Sequence, residues 1–268
     1  MMKRFATTLR KPAVALLALA ALTALATTAS ATTLMSDAFT YPNGNLVPNG
    51  TWANFSGAIV DIQVSGGRVT GSGPNANDDH RLFAAQPTTS KTYACFDVII
   101  PTIPGAPKPI YFCMLKDAGT SIFVSRVYVL PITGGFTFGI SNTSTTASIG
   151  VTPWSATTLL YDHKYNIVIN YDPVNKSSTL WVDPATESST SVTDVNATAT
   201  AVGVAGFGLR QSATAATLPA SPPYAGSADW GFSLDNLGVG TTFDDACTQY
   251  RSTPTTKSTW GAVKSIYR

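Results

Sequence analysis

Apolar and polar side chains alternate with a period of two along much of the chain. Tyr165, Ile167, Ile169 and Tyr171 are separated by Asn166, Val168 and Asn170; Phe136, Phe138 and Ile140 by Thr137 and Gly139; Leu180 and Val182 stand on either side of Trp181, between Thr179 and Asp183. That period belongs to an extended strand, whose successive side chains point to opposite faces. Further runs of strand composition are YACFDVII from Tyr93, IYFCML from Ile110, IFVSRVYVL from Ile122, AVGVAGFGL from Ala201 and WGFSLDNLGV from Trp230. Clusters of turn-forming residues lie between them, such as Pro42-Asn43-Gly44, Ser65-Gly66-Gly67, Thr133-Gly134-Gly135 and Asp172-Pro173-Val174-Asn175. Many short strands with no amphipathic helix between them predict an all-β protein, an antiparallel sandwich or barrel. No repeat of about 20 to 50 residues is visible, which argues against a propeller or solenoid. Two segments break the alternation: Glu187 to Ala199, rich in Ser and Thr, and Gln211 to Ser227, rich in Ala, Pro and Ser. Both read as surface loops.

The chain begins differently. Lys3, Arg4, Arg10 and Lys11 precede the apolar run AVALLALAALTALA, and Ala29-Ser30-Ala31 supplies small residues after it. This is the layout of a secretory signal peptide, with cleavage expected after Ala31. The apolar run falls short of the roughly 20 residues that a bilayer span requires. The expected organisation is therefore a signal peptide over residues 1–31, one domain over 32–247, and a linker with a short amphipathic tail over 248–268. In the tail Trp260, Val263 and Tyr267 would share a helix face, to dock on the domain or to serve attachment or export.

Only 12% of the residues are charged, 44% are hydrophobic and 21 are Gly. That composition excludes a disordered acidic tail, a coiled coil and a polybasic nucleic-acid binder. Cleavage would remove four of the 17 Lys and Arg and none of the 15 acids, leaving a near-neutral chain. The expected product is secreted or held at the cell surface, with no membrane span and no nucleic-acid partner.

The segments LMSDAFTYPNGNLVPNGTW, YACFDV, YFCMLKDAGTSIFVSRVYV, FTFGISN, STLWVDPATESS, GLRQ and LDNLGVGTTF together resemble a concanavalin A-like (LamG-like) jelly-roll module of secreted bacterial proteins. The resemblance covers about residues 34–247 and implies an antiparallel two-sheet β-sandwich. It carries no single function, since lectins, carbohydrate-binding modules, glycoside hydrolases, polysaccharide lyases and spacer domains share that architecture. The glucanases of this fold carry a Glu-x-Asp-x-x-Glu strand. This chain has one Glu, Glu187, in a Ser/Thr-rich stretch. The resemblance also implies a structural calcium on the final strand, which would fall on Asp235, with the Asp37 region and Gly66-Gly67 as neighbours. Asp235 capping the amides of an adjacent turn is the alternative reading.

Glycoside hydrolysis needs two carboxylates across the scissile bond. The close acidic pairs here, Asp78-Asp79 and Asp244-Asp245, are adjacent in sequence and would point to opposite faces of a strand. His163 reads as a turn residue, and His80, in NDDHRLF, as part of a solvated loop. No nucleophile motif or phosphate loop is present. Binding chemistry is better represented. Arg126 and Tyr128 fall on one strand face, where they could stack on a sugar and hydrogen-bond to it or to a carboxylate. Arg210 and Gln211 end another strand with two long donors. Either Arg could instead pair with an Asp such as Asp97 or Asp183. Trp181, opposite in face to Leu180 and Val182, is the tryptophan expected on the sheet surface as a sugar platform, while Trp52, Trp154 and Trp230 could all be core. Cys95 and Cys113 could form a cross-strand bridge or remain two buried thiols, either way leaving Cys247 unpaired; no zinc spacing occurs.

The expected function is that of a secreted non-catalytic module binding a polysaccharide, a cell-surface glycan or another surface partner. The alternatives are a polysaccharide-active lyase or hydrolase centred on His80, Arg126, Tyr128 or Arg210, and a structural surface protein that self-associates through strand edges.

Overall fold

The two-faced segments become strands because their apolar faces can be covered only by one another. A computed structural model of the protein describes residues 32–57, 60–72, 77–101, 110–143, 152–211 and 231–248. In chain order the strands are β1 (Thr33–Asp37), β2 (Gly44–Asn45), β3 (Ala53–Ser56), β4 (Gln63–Ser65), β5 (Arg68–Ser72), β6 (Asp78–Leu82), β7 (Thr92–Ile99) and β8 (Ile110–Lys116). There follow β9 (Phe123–Ile132), β10 (Gly135–Ser141), β11 (Lys164–Asp172), β12 (Ser177–Val182), β13 (Ser191–Val195), β14 (Gly206–Leu209) and β15 (Gly231–Gly240), and then one helical turn, α1 (Phe243–Ala246).

Nine strands make one sheet, in the order β13-β12-β11-β7-β15-β5-β4-β2 with β1 added on β15, and six make the other, in the order β10-β9-β8-β14-β6-β3. Every neighbour is antiparallel, including strands far apart in sequence such as β7 with β15 and β14 with β6. The facing surfaces bury Val127, Val129, Phe136, Phe138, Phe112 and Phe207 from the six-stranded sheet. From the other come Phe96, Val98, Ile167, Ile169, Phe232 and Leu234. The architecture is thus the expected all-β antiparallel two-sheet sandwich.

Each sheet also carries a smaller apolar cluster on the face away from this core. On the nine-stranded sheet Tyr93, Cys95, Val168 and Trp181 are covered by Phe243 and Ala246 of α1 and by Cys247. On the six-stranded sheet Tyr111, Met114 and Tyr128 pack with Phe55, Phe123 and Trp154.

Several expectations are corrected. The disulfide joins Cys95 to Cys247, while Cys113 is a free, buried thiol. A Cys95–Cys113 bridge is precluded because β7 and β8 belong to different sheets: Cys95 faces outward on one, and Cys113 faces the core on the other. The segment after Glu187 contains an edge strand, β13, paired with β12, with Val192 packed on the core. NDDHRLF is not a solvated loop; it supplies β6, in which Asp78, Asp79 and His80 are all buried. Of the AVGVAGFGL run only Gly206–Leu209 is strand. The signal segment 1–31, the tail from residue 249, Trp230 and residues 212–227 lie outside the described residues. Among the described residues no helix is long and apolar enough to cross a membrane.

Candidate functional site

The outer face of the six-stranded sheet gathers the residues with the most chemistry. In β9, Ser125 takes a left-handed backbone (φ 50°). Its hydroxyl lies buried between the sheets, bonding the Asn170 carbonyl at 2.9 Å and sharing a hydrogen with Ser178 Oγ at 2.8 Å. Beyond this irregularity Val127 and Val129 face the core, while Tyr128 faces outward opposite Tyr111 of β8, with ring centroids 5.3 Å apart. The Arg126 guanidinium carbon lies 5.6 Å from the centre of the Tyr111 ring and 5.4 Å from that of Phe123. From β14 the chain continues to Arg210, whose guanidinium stacks on the same Tyr111 ring at 4.3 Å. Two of the expected residues, Arg126 and Arg210, therefore converge on an aromatic that the sequence reading did not single out.

Arg126 is 3% exposed, yet its Nε and Nη1 have no hydrogen-bond partner among the described residues. Burial disfavours its charge, as does the nearby Arg210, while Tyr111 and Tyr128 partly offset this; the net effect lowers its pKa from the usual value. Burial also raises the Tyr128 pKa, so it remains a neutral phenol. Arg210 faces a carboxylate, Asp78 Oδ2, at 3.9 Å.

Arg126 and Phe123 also line a cavity of about 540 Å³ at the start of β9. Its other polar walls are Asp117 and Ser121 from the β8–β9 connection, Thr143 after β10, and Asn196 and Thr200 after β13. Asn196 is oriented by donating to Thr143 Oγ1 at 2.6 Å, and Asp117 Oδ1 is buried without a partner among the described residues. The cavity thus presents a planar cation, a carboxylate oxygen, a carboxamide and hydroxyls beside an aromatic ring. A pocket that orients a polyhydroxylated ligand needs donors and acceptors of these kinds. Phe123 heads an alternating run and could have been found from it. Asn196, more than 70 positions from Phe123, carries no local signal linking it to the same wall.

His80 shares the outer face but not the cavity. It stands on β6, three strand positions from β9 and so about 14 Å away along the sheet. Its ring stacks on Phe55 at 5.0 Å, and buried Met114 packs into the space that Gly208 leaves between the strands. Burial, with the Lys116 charge, lowers the His80 pKa to about 4, so the imidazole is neutral near pH 7. His163 is exposed beside a turn, as expected.

Other expected site residues are engaged elsewhere. Trp181 does lie on the outer face of its sheet but is 4% exposed, edge-on to Phe243 with its Nε1 donating to the Glu187 carbonyl at 3.0 Å. The short helix brought back by the disulfide covers it, so it is no platform. Gln211 is buried with its amide groups committed: Nε2 donates to the Val60 carbonyl at 2.6 Å, and Oε1 accepts from the Ser72 amide at 3.1 Å. It ties the chain after β14 to Ser72 at the end of β5 in the other sheet. Asp235 faces Arg68 at 3.4 Å and accepts from the Asn236 amide at 2.7 Å. A carboxylate beside a guanidinium is a poor donor for a dication that wants six to eight oxygens. Asp37, its expected neighbour, accepts instead from the Phe39 amide, Tyr41, Trp52 and Arg81.

No family model matches the chain, and no curated protein does. Solved structures do. The CBM2 module of the evolved Dit of Lactobacillus casei BL23 phage J-1 superposes with a TM-score of 0.50 at 12% identity, covering 79% of this chain and 96% of that one. A sialidase matches with a TM-score of 0.49 at 16% identity over 81% of this chain, which spans only 19% of the sialidase. An endo-β-1,4-glucuronan lyase of Trichoderma reesei matches with a TM-score of 0.46 at 12% identity, covering 80% and 98% of the two chains. At these identities the likeness concerns the fold: this is a jelly-roll β-sandwich of concanavalin A-like type.

Proposed function

We propose that this jelly-roll sandwich is an extracytoplasmic glycan-binding module, and that its ligand is a saccharide carrying a carboxylate. One observation carries the reading: the buried guanidinium of Arg126, with Nε and Nη1 unpartnered among the described residues, at the wall of a 540 Å³ cavity. Leaving a buried cation only partly paired is costly, and a ligand carboxylate drawn to the guanidinium relieves that cost with a charge-assisted interaction. Phe123 offers a ring face for the apolar side of a pyranose, and Asp117, Asn196 and Thr143 offer acceptors and donors for its hydroxyls. The CBM2 module that shares the fold is in keeping with binding without supplying it.

A glycan array containing uronic-acid polymers and their carboxyl-reduced counterparts tests this. Retention of the acidic forms is expected, with affinity at least about tenfold weaker for the reduced ones and for Arg126→Met, which keeps much of the side-chain volume. Phe123→Ala should weaken binding while leaving the choice of acid over neutral sugar intact. Equal binding of acidic and reduced polymers would refute the carboxylate reading. Unsaturated or shortened products released during incubation would replace a binder by an enzyme.

A further inference from the structure

The cavity that holds Arg126 also holds the opposite charge, since Asp117 lines it too. The Asp117 amide donates to the Ile122 carbonyl at 3.2 Å, which sets Asp117 beside the start of β9. Its carboxylate folds over Gly119, where a Cβ would meet Oδ2 at 3.0 Å and Oδ1 at 3.3 Å. Arg126 stands four positions beyond Ile122, at most about 13 Å along an extended strand. Phe123 lies along β9 between them, with the guanidinium carbon 5.4 Å from its ring centre.

Neither charge is fully answered inside the protein. Among the described residues neither side chain joins an ion pair. Arg126 is offset by the Tyr111 and Phe123 rings and by a hydrogen bond with Tyr111, none of them a full charge. Asp117 Oδ1 is buried without a hydrogen-bond partner among the described residues. Lys116 is 0% exposed, and its ammonium donates to the carbonyls of Asp117, at 2.8 Å, and of Gly119. It tempers the Asp117 charge without bonding to the carboxylate.

A wholly anionic saccharide in this cavity would meet Arg126 favourably and Asp117 unfavourably, with water displaced from both. A ligand hydroxyl gives Asp117 a donor and no charge; an ammonium gives both. We propose that the cavity takes a zwitterionic saccharide, in which a uronic-acid carboxylate meets Arg126 and the free amine of a neighbouring amino sugar meets Asp117. This rests on the glycan-binding reading and narrows its ligand. The Phe123 ring is left to the apolar face of a pyranose. The volume, about 540 Å³, lies within the range of small-molecule sites.

Hyaluronan alternates a uronic acid with an N-acetylated amino sugar. N-deacetylation, carboxyl reduction or both give four probes on one backbone. Binding is measured by calorimetry at about pH 6, where amine and carboxylate are both ionised, and at about 0.15 M salt to screen non-specific attraction. The wild-type protein is expected to bind the N-deacetylated acid at least about tenfold more tightly than hyaluronan itself. Asp117→Asn should lose that preference for the amine and keep the preference for acid over reduced polymer. Arg126→Met should lose the second preference and keep the first. Raising the pH through the pKa of the probe's amine should erase the amine preference in the wild type, a test that needs no variant to fold. Equal affinity for amine and acetamide, with acid still preferred, overturns the zwitterion and leaves the glycan-binding reading standing. No preference for acid in either form overturns both. An amine preference that survives in Asp117→Asn, or at high pH, also overturns the proposal, because it would come from contacts other than that carboxylate.

Discussion

Single side chains decide much of how this sandwich holds together, and Asp37 is the clearest case. Its Oδ1 accepts from the Phe39 amide at 2.8 Å. Its Oδ2 accepts from Tyr41 Oη and Trp52 Nε1 at 2.8 Å each and from Arg81 Nη1 at 2.9 Å. Burial, then the hydrogen bond to Asp37 and then its charge, push the Tyr41 pKa up to about 12. Asp37→Ala leaves a partly exposed guanidinium, a half-buried phenol and a buried indole without this acceptor, and should cost about 1–3 kcal/mol by denaturant melting. In Asp37→Asn the Tyr41 phenol should ionise at a lower pH than in the wild type, read by ultraviolet titration. Asp172 works at the β11–β12 turn, accepting from the Val174 and Asn175 amides at 3.0 Å each and from Asn175 Nδ2 at 2.8 Å. Burial opposes its charge, but the Asn175 bonds, Lys91 and the Val174 amide outweigh it and hold the carboxyl below its usual value. A carboxyl with a depressed folded-state pKa stabilises the protein above its unfolded pKa and loses that contribution as the pH falls through the folded one. Asp172→Ala should therefore lower stability by about 1–2 kcal/mol at neutral pH, with the gap to wild type closing below about pH 4. A gap independent of pH would assign the effect to turn geometry alone.

At the scale of elements, the single turn of α1 is too short to persist by itself. It is held by Thr242, whose side chain caps it through the Asp245 amide, by Phe243 against Tyr93 and Trp181, and by the Cys95–Cys247 bond. That bond closes a loop with a sequence separation of 152, where removing the cross-link frees the most unfolded-chain entropy. Cys247→Ser, or reduction, should lower stability by about 3–5 kcal/mol. It should also shift tryptophan emission to the red as Trp181 loses its cover. Unchanged emission would mean that Phe243 stays docked without the bond. The element also explains why a surface tryptophan reading fails: period two places Trp181 on the outer face correctly, but face and exposure are separate questions once another segment lies over the sheet.

Across the whole molecule the functional parts occupy separate regions. α1 covers the outer face of the nine-stranded sheet, whereas Arg126 and Phe123 belong to the six-stranded one. Distant, unshared sites behave additively. Cys247→Ser is thus expected to keep wild-type affinity for an acidic glycan at temperatures below its lowered Tm, measured by calorimetry; a tenfold loss would show that the two faces are coupled. The cavity itself is assembled from the β8–β9 connection, the end of β10 and the segment after β13, so ligand binding should raise Tm by mass action.

Period-two alternation is a local property, and with the turn clusters it was enough to establish β7 to β12 and an antiparallel all-β class, sandwich or barrel, because an extended chain with one apolar face has few ways to bury it; the two-sheet sandwich came with the resemblance. The same alternation placed Arg126 with Tyr128 and set Asp78 and Asp79 on opposite faces. Strands without a continuous apolar face, such as Asp78–Leu82 and Ser191–Val195, were not legible. The first is buried by its neighbours and not by its own composition, and the second is a largely exposed edge held by its pairing with β12. Cys95 meeting Cys247, Gln211 spending its amide inside the sandwich, and Asn196 facing Phe123 across a cavity all depend on which strands lie side by side. That order is set by packing between segments far apart along the chain, and only the tertiary structure decided it.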